Sequence, residues 1–456
     1  WMKIKEILNV TKGKMLCGNE ELEVENFSKD TRTIQKGDIY IGIKGEKFDG
    51  SNFWNQALDA GATAVIISNV QISKEEKEKY KDKTIIQVED TLEALYEIAK
   101  YKRSLYNIPV IAVTGSVGKT STKDIIASVV SQKYKTLKTE GNNNNNIGLP
   151  LTILKLKDHE ALVVEMGMNH FGEISLLTNI AKPTLAVITN IGTSHIGNLG
   201  SRENILKAKL EILEGMKIPR VIINNDNDLL HKWYEENKEK IEIHTYGINN
   251  SSDIIAEKIE LGEEKSKFVA KTSSEKVNID VPVGGEHFVY NALCGFMVGK
   301  VLGLSSKEIQ DGISKFELTK KRMDIRTLKN GATLINDSYN ASYESMKASL
   351  KYLSNRTDLR KIAVLGDMLE LGEFSKKLHE KVGEEVANNN IDILICRGEF
   401  AKDIILKASQ NNKTQCILLQ NNEEILGKLQ EILREGDVVL IKASNGMKFY
   451  EICQKL

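Results

Sequence analysis

The sequence predicts an α/β protein in three units, and three observations carry that prediction. First, 456 residues exceed what one hydrophobic core can cover and correspond to about three domains of ordinary size. Second, from residue 108 onward the apolar runs IPVIAV, ALVVEMG, TLAVITNIG and RVIINND alternate with helix-like stretches. That rhythm marks βα units around a mostly parallel sheet, with ligands at the C-terminal ends of its strands. Third, the rhythm restarts beyond residue 319 with ATLINDS, KIAVLGD, IDILICRG and DVVLIKAS.

Taken in order, residues 1–100 form a small N-terminal α/β unit with strands in DIYIGIKG (38–45) and ATAVIIS (62–68). KEEKEKYKDK (74–83) reads as a solvated helix face, and TLEALYEIAKYKRSLY (91–106) as a helix leading into the second unit. The central unit spans 101–318 and holds the first parallel sheet, with the polar, strand-like stretch 241–283 as a decoration. The charged run TKKR (319–322) places a boundary near Lys320, and 319–456 form a C-terminal unit of Rossmann-like type. GNNNNNIG (141–148) is the one low-complexity spot.

Bulk properties exclude several classes of function. Sixty-three basic and 63 acidic side chains cancel, so no basic field exists to draw nucleic acid. Five scattered cysteines, never in CxxC pairs, fit a reducing cytosol and argue against a disulfide framework or a thiolate zinc site. No apolar run approaches the length of a membrane span, and WMKIKEILN lacks a signal-peptide core. A cytoplasmic protein is expected, and a monomer, because no apolar stripe demands a partner.

The run IAVTGSVGKTSTK (111–123) carries the sharpest chemistry: an apolar strand, a glycine turn, then a helix. Gly115 and Gly118 let backbone N–H groups face an anion, and the helix N-terminus adds its dipole. Lys119 reaches terminal phosphates and Thr120 offers a hydroxyl to Mg²⁺, so ATP or GTP is the expected ligand. Two residues separate these glycines where the common nucleotide loop has four. Glu165 ends ALVVE, and a carboxylate at a strand tip beside a phosphate loop is placed as a metal ligand. His195, in TNIGTSHIG, also follows a strand.

Lys209 is the more telling position. If RENILKAKLEILEG (202–215) is a helix, Lys209 neighbours Ile205, Leu206, Ile212 and Leu213, whereas Lys207 lies on an ordinary mixed face. An ammonium in an apolar stripe is costly. It either snorkels to the rim, or reacts with CO₂ to give a carbamate whose oxygen can bind Mg²⁺. In the third unit Asp337, Tyr339 and Asn340 follow the strand ATLIND, and Arg322 stands near the entry.

Together these residues resemble the Mur ligases, ATP-dependent amide-forming enzymes of peptidoglycan precursor synthesis. TGSVGKTST, VVEMGMNHFGEI, TNIGTSHIGNLGS and LKAKLEIL fall in the family's order, and the match spans nearly the whole chain. GNNNNNIGLPLT, NDSYNAS and LGDMLELG (365–372) resemble most the branch that joins D-alanyl-D-alanine to UDP-N-acetylmuramoyl-tripeptide. The resemblance implies ATP and Mg²⁺ as cofactors, with Gly115, Ser116, Val117, Gly118, Lys119, Thr120 and Ser121 on the phosphates. It implies Thr120, Glu165, His195 and a carbamylated Lys209 as metal ligands. Lys119, Glu165, His195 and Lys209 would be catalytic. His287 and Asn291, in GGEHFVYNAL, would contact the nucleotide, and Arg322, Asp337 and Asn340 would reach ATP from the C-terminal unit. Ser28, Asp30, Thr31, Arg32, Lys44 and Gly45 would hold the uridine diphosphate, and Asn144 and Asn145 the muramoyl peptide.

Two positions depart from the family pattern: Val117 stands where asparagine is usual, and Tyr339–Tyr343 reads YNASY where YNANP is usual. The third residue of the tripeptide stays open between lysine and diaminopimelate. The alternative is another Mur ligase or a folylpolyglutamate-synthase-like ligase; the latter lacks a separate uridine-binding unit, so residues 1–100 weigh against it.

Overall fold

The computed structural model describes residues 1–319 and 322–456. The boundary expected near Lys320 therefore lies outside the described residues. Among the described residues three large sheets organise the chain, beside a two-stranded ribbon of Met2–Lys3 and Glu23–Val24. The central nine-stranded sheet runs, from one edge, Thr136–Lys138, Ala161–Glu165, Val110–Thr114, Leu185–Ile188, Arg220–Asn224, Glu242–Gly247, Ile254–Leu261, Ser266–Lys271 and Lys276–Val281. The first seven are parallel and the last two antiparallel. Val110–Thr114 and Ala161–Glu165 are buried throughout, as strands covered by helices on both faces must be. All four apolar runs expected as central strands are strands, because each buries its apolar residues between the helices on either face.

Stretch 241–283 is not a separate decoration. Glu242–Gly247 continues the parallel order, and the three strands after it extend the same sheet. Their alternating burial, as in Lys276–Val281, shows one face packed and one wet, which is why they read as polar. The helix expected over 202–215 also differs. Arg202–Leu210 is α-helical, capped by Ser201 Oγ accepting from Asn204 N at 3.1 Å, and Glu211–Gly215 tightens to a 3₁₀ turn. Gly215 sits there against the carbonyl of Thr178, an approach that a Cβ would block.

The N-terminal unit has a five-stranded sheet, with Ala64–Ile67 between Ile39–Ile41 and Thr84–Gln87. Its last helix, Thr91–Ser104, runs across residue 100 and packs on central-unit helices Gly148–Ile153 and Glu173–Ala181. The division is thus carried by a shared helix rather than a linker. The C-terminal sheet is six-stranded, ordered Asp324–Thr327, Thr333–Asn336, Asp437–Lys442, Arg360–Leu365, Ile393–Cys396 and Gln415–Leu418. Beyond its antiparallel first pair it is parallel, as its four apolar runs predict.

Central and C-terminal units touch at several places. Thr357 donates through N and Oγ1 to Glu263 Oε1, both at 2.7 Å. Thr193 Oγ1 donates to Glu344 Oε2 at 2.9 Å, and Gly197 N to the Glu370 carbonyl at 3.2 Å. These contacts close the C-terminal unit over the strand tips that carry the expected site. Among the described residues no helix is long and apolar enough to cross a membrane.

Candidate active site

The glycine turn after Val110–Thr114 is pinned by its own neighbours. Val117 N donates to Asn190 Oδ1 at 2.9 Å, while Val117 O accepts from Asn190 Nδ2 and Thr189 Oγ1, each at 2.9 Å. Ser116 N donates to the Asn190 carbonyl, and Ser116 Oγ accepts from Gly192 N at 2.8 Å. Gly115 is obligatory, since a Cβ there would lie 1.8 Å from Thr189 Oγ1. Gly118 takes a left-handed φ of 78° and hands over to the helix Lys119–Val130. Ser116 N and Val117 N are spent on Asn190, which fixes the turn and leaves the N–H groups at the start of the helix Lys119–Val130 to receive an anion.

One cavity joins Lys119, Asn144, Asn145, Glu165, His195, Arg322, Tyr339 and Asn340. Glu165 is buried; its two oxygens accept from Thr120 Oγ1 at 2.8 and 3.0 Å, and Oε1 also accepts from Asn144 Nδ2 at 2.9 Å. Arg322 Nη2 donates to Thr120 Oγ1 at 3.2 Å, and its guanidinium stacks 4.0 Å from the Tyr339 ring centre. Burial lowers the Lys119 ammonium's pKa and Glu165 opposes this, so the cation is poorly solvated and free to favour an anion. Asn145 instead caps its own turn, accepting from Ile147 N and Gly148 N.

Lys209 is buried, and Lys207 is exposed, as their positions on the helix predict. Burial first, then Lys119, hold its amine well below the ordinary lysine value, with Glu165 and Glu173 opposing. It stands behind the cavity wall rather than in it. His195 is kept neutral: burial, then Lys119, Lys209 and His170, push it down to about 3. A buried carboxylate, a hydroxyl and a neutral imidazole around one space fit Mg²⁺, which takes one or two protein oxygens and completes its shell with water and substrate phosphates. Among the described residues no three His, Cys, Asp or Glu side chains converge as a self-sufficient metal cage.

A second cavity adjoins the first and shares Arg322. Val117, Gly118, Ser121, His287 and Asn291 line it from the central unit, with Asp337, Ser349 and Lys442 from the C-terminal unit. Asn291 Oδ1 accepts from Thr122 Oγ1 at 3.1 Å. Burial pushes His287 down to about 4, Asp337 opposing and Lys442 adding to the fall. Asp337 is buried in full partnership, with Lys442 Nζ at 2.9 Å, Ser349 Oγ at 2.7 Å and Met323 N at 3.2 Å. Asn340 lines the first cavity rather than this one, and its carbonyl accepts from Lys442 Nζ at 3.0 Å.

Ser28, Asp30, Thr31, Arg32, Lys44 and Gly45 line neither cavity. They gather at the C-terminal edge of the parallel strands Phe27–Ser28 and Ile39–Ile41. Asp30 caps the turn Thr31–Thr33 and grips Arg32 at 3.0 and 2.8 Å, which lowers its carboxyl to about 2. Gly45 N donates to the Phe48 carbonyl at 2.8 Å, closing a short loop beside Lys44. Sequence reasoning missed Asn190, Glu344 and Lys442. TNIG and VVLIKAS carry Asn190 and Lys442 just at strand ends, where a polar residue after an apolar run is the available signal; nothing local distinguishes Glu344.

Three family models match the chain: "Mur ligase family, catalytic domain" over 23–103, "Mur ligase middle domain" over 113–299, and "Mur ligase, glutamate ligase domain" over 321–445. The UDP-N-acetylmuramoyl-tripeptide–D-alanyl-D-alanine ligase of Bacillus subtilis is 36% identical, over 99% of this chain and 98% of that protein. Its counterpart in Escherichia coli is 29% identical, over 96% and 94%. A crystal structure of MurF from Acinetobacter baumannii superposes with a TM-score of 0.88 at 29% identity, covering 100% of this chain and 98% of that one. MurF from Thermotoga maritima in complex with ADP gives 0.81 at 28%, covering 94% and 96%.

Proposed function

From the premise that this chain belongs to the Mur ligase family, we propose that it is an ATP-dependent ligase of MurF type, joining D-alanyl-D-alanine to UDP-N-acetylmuramoyl-tripeptide. The observation that carries this reading is the pair of adjoining cavities. One suits a nucleotide, the other holds Lys119 and Glu165, with Thr120 bonded to Glu165 behind it, and Arg322 belongs to both.

The chemistry explains the arrangement. A carboxylate does not accept an amine directly, because hydroxide is a poor leaving group. Transfer of the γ-phosphoryl of ATP to the tripeptide carboxylate gives an acyl phosphate and ADP. The dipeptide's neutral amine then attacks the acyl carbon, inorganic phosphate leaves, and the nitrogen loses a proton. The obstacle is that an anion must approach a polyanion. Lys119, Arg322 and the amides at the start of the helix Lys119–Val130 would offset that charge, as donors fixed in advance. Thr120, Glu165, His195 and a carbamylated Lys209 would hold Mg²⁺, which supplies Lewis-acid neutralisation of phosphoryl charge. His287 and Asn291 would contact the nucleotide, and Asp337, tied to Lys442, would bring the C-terminal unit onto it. The loop with Ser28, Asp30, Thr31, Arg32, Lys44 and Gly45 would hold the uridine diphosphate, and Asn144 and Asn145 the peptide.

Phosphate release is the test, measured with the uridine tripeptide and, in turn, D-Ala-D-Ala, L-lysine, diaminopimelate and glutamate. Release is expected with D-Ala-D-Ala alone, and ATP consumption indifferent to both substrates would end the reading. Lys119→Ala is expected to abolish turnover while uridine-nucleotide binding persists.

A further inference from the structure

We propose that Glu370 positions His195, and that docking of the C-terminal unit thereby sets which nitrogen of that histidine carries its proton. This rests on the reading of His195 as a working residue of the first cavity. His195 and Glu370 belong to different units, yet Glu370 Oε2 lies 2.7 Å from His195 Nδ1. That nitrogen is buried and has no hydrogen bond, and the half-exposed Glu370 carboxylate is the acceptor placed within reach of it.

The backbone is shaped for this approach. Both residues adopt a left-handed φ of 64°, which side-chain-bearing residues rarely take and keep where the surroundings impose it. Beside them the two backbones meet with no side chain between. A Cβ on Gly197 would lie 2.5 Å from Gly372 N, and one on Gly372 3.0 Å from Gly197 Cα. The segment bearing Glu370 is rigid within its own unit. Met368 N donates to His379 Nε2 at 2.9 Å, Leu369 N to Ser444 Oγ at 2.9 Å and Gly366 N to the Lys442 carbonyl at 3.1 Å. Glu370 therefore arrives at the histidine when that unit docks.

A neutral imidazole carries one N–H, and the partner of one nitrogen decides the state of the other. A carboxylate at Nδ1 selects the Nδ1–H form and leaves the Nε2 lone pair for the cavity that holds Glu165 and Lys119. Without Glu370 the ring is free to take the other form, in which Nε2 is a donor and useless to a cation.

Two readouts on the full-length enzyme test this. Glu370→Ala is expected to lower kcat about 10–100-fold with KM for ATP unchanged, and Glu370→Gln, which still accepts from Nδ1–H, to recover part of the loss. In ¹⁵N-histidine spectra of the protein with ADP, His195 is expected as the Nδ1–H tautomer, shifting toward Nε2–H in Glu370→Ala. An unchanged tautomer or an unchanged kcat overturns the proposal. His195→Ala separates the two ideas: full activity there sinks the reading of His195 itself. Loss there with Glu370→Ala indistinguishable from wild type sinks only the positioning role.

Discussion

Lys209 is a cation in an apolar stripe, buried beside another cation, Lys119. Its amine is held well below the ordinary lysine value, chiefly by burial, which raises the share of neutral amine able to react with CO₂. Lys209→Ala is therefore expected to lose turnover, and short carboxylates such as formate or acetate to restore part of it by standing in for the carbamate; an activity assay showing no rescue counts against carbamylation. Lys209 was legible in the sequence because its neighbours at helical spacing are all local. Lys442 was not, because its role is set by Asp337, 105 residues away in the chain. Asn190 shows in the sequence only as a polar residue after an apolar run; that its amide clamps the Val117 peptide depends on a partner 73 residues away.

Among elements, buried parallel strands announce themselves, since each must be apolar along its whole length, and every such run expected in the central and C-terminal units is a strand. Edge elements do not. The strands of 254–281 are half wet, and their polarity disguised their membership of the main sheet. The short helix Ile196–Leu199 shows why contacts between units are equally silent. Gly197 within it is an ordinary residue by sequence, yet it is where the C-terminal backbone lands. Gly197→Ala is expected to weaken docking by about 1–3 kcal/mol, the usual cost of an added methyl where none fits. Small-angle scattering with an ATP analogue should then report a larger radius of gyration than wild type, and kcat should fall about tenfold or more. An unchanged radius and kcat would mean the contact does not hold the units together.

The whole molecule carries buried neutral histidines, and these set its response to acid. His287 lies near 4; His379 is lowered chiefly by burial, opposed by its hydrogen bond to Ser375 and by Asp367. Unfolded, each titrates near 6.5, so below that pH the unfolded chain binds more protons and stability falls as pH drops toward the folded values. Melting temperatures taken from pH 7.5 to 4.5 are expected to decline, with a shallower decline in His379→Gln; equal slopes would remove His379 from the account. The nucleotide cavity has a consequence of its own at this scale. Part of its wall comes from the central unit, His287 and Asn291 included, and the rest, with Asp337, Ser349 and Lys442, from the C-terminal unit. Such a chamber exists only while the two units are docked, so parting them unmakes it. A wedge lodged between Gly197 and Gly372 would hold the halves apart without ever competing for the chamber.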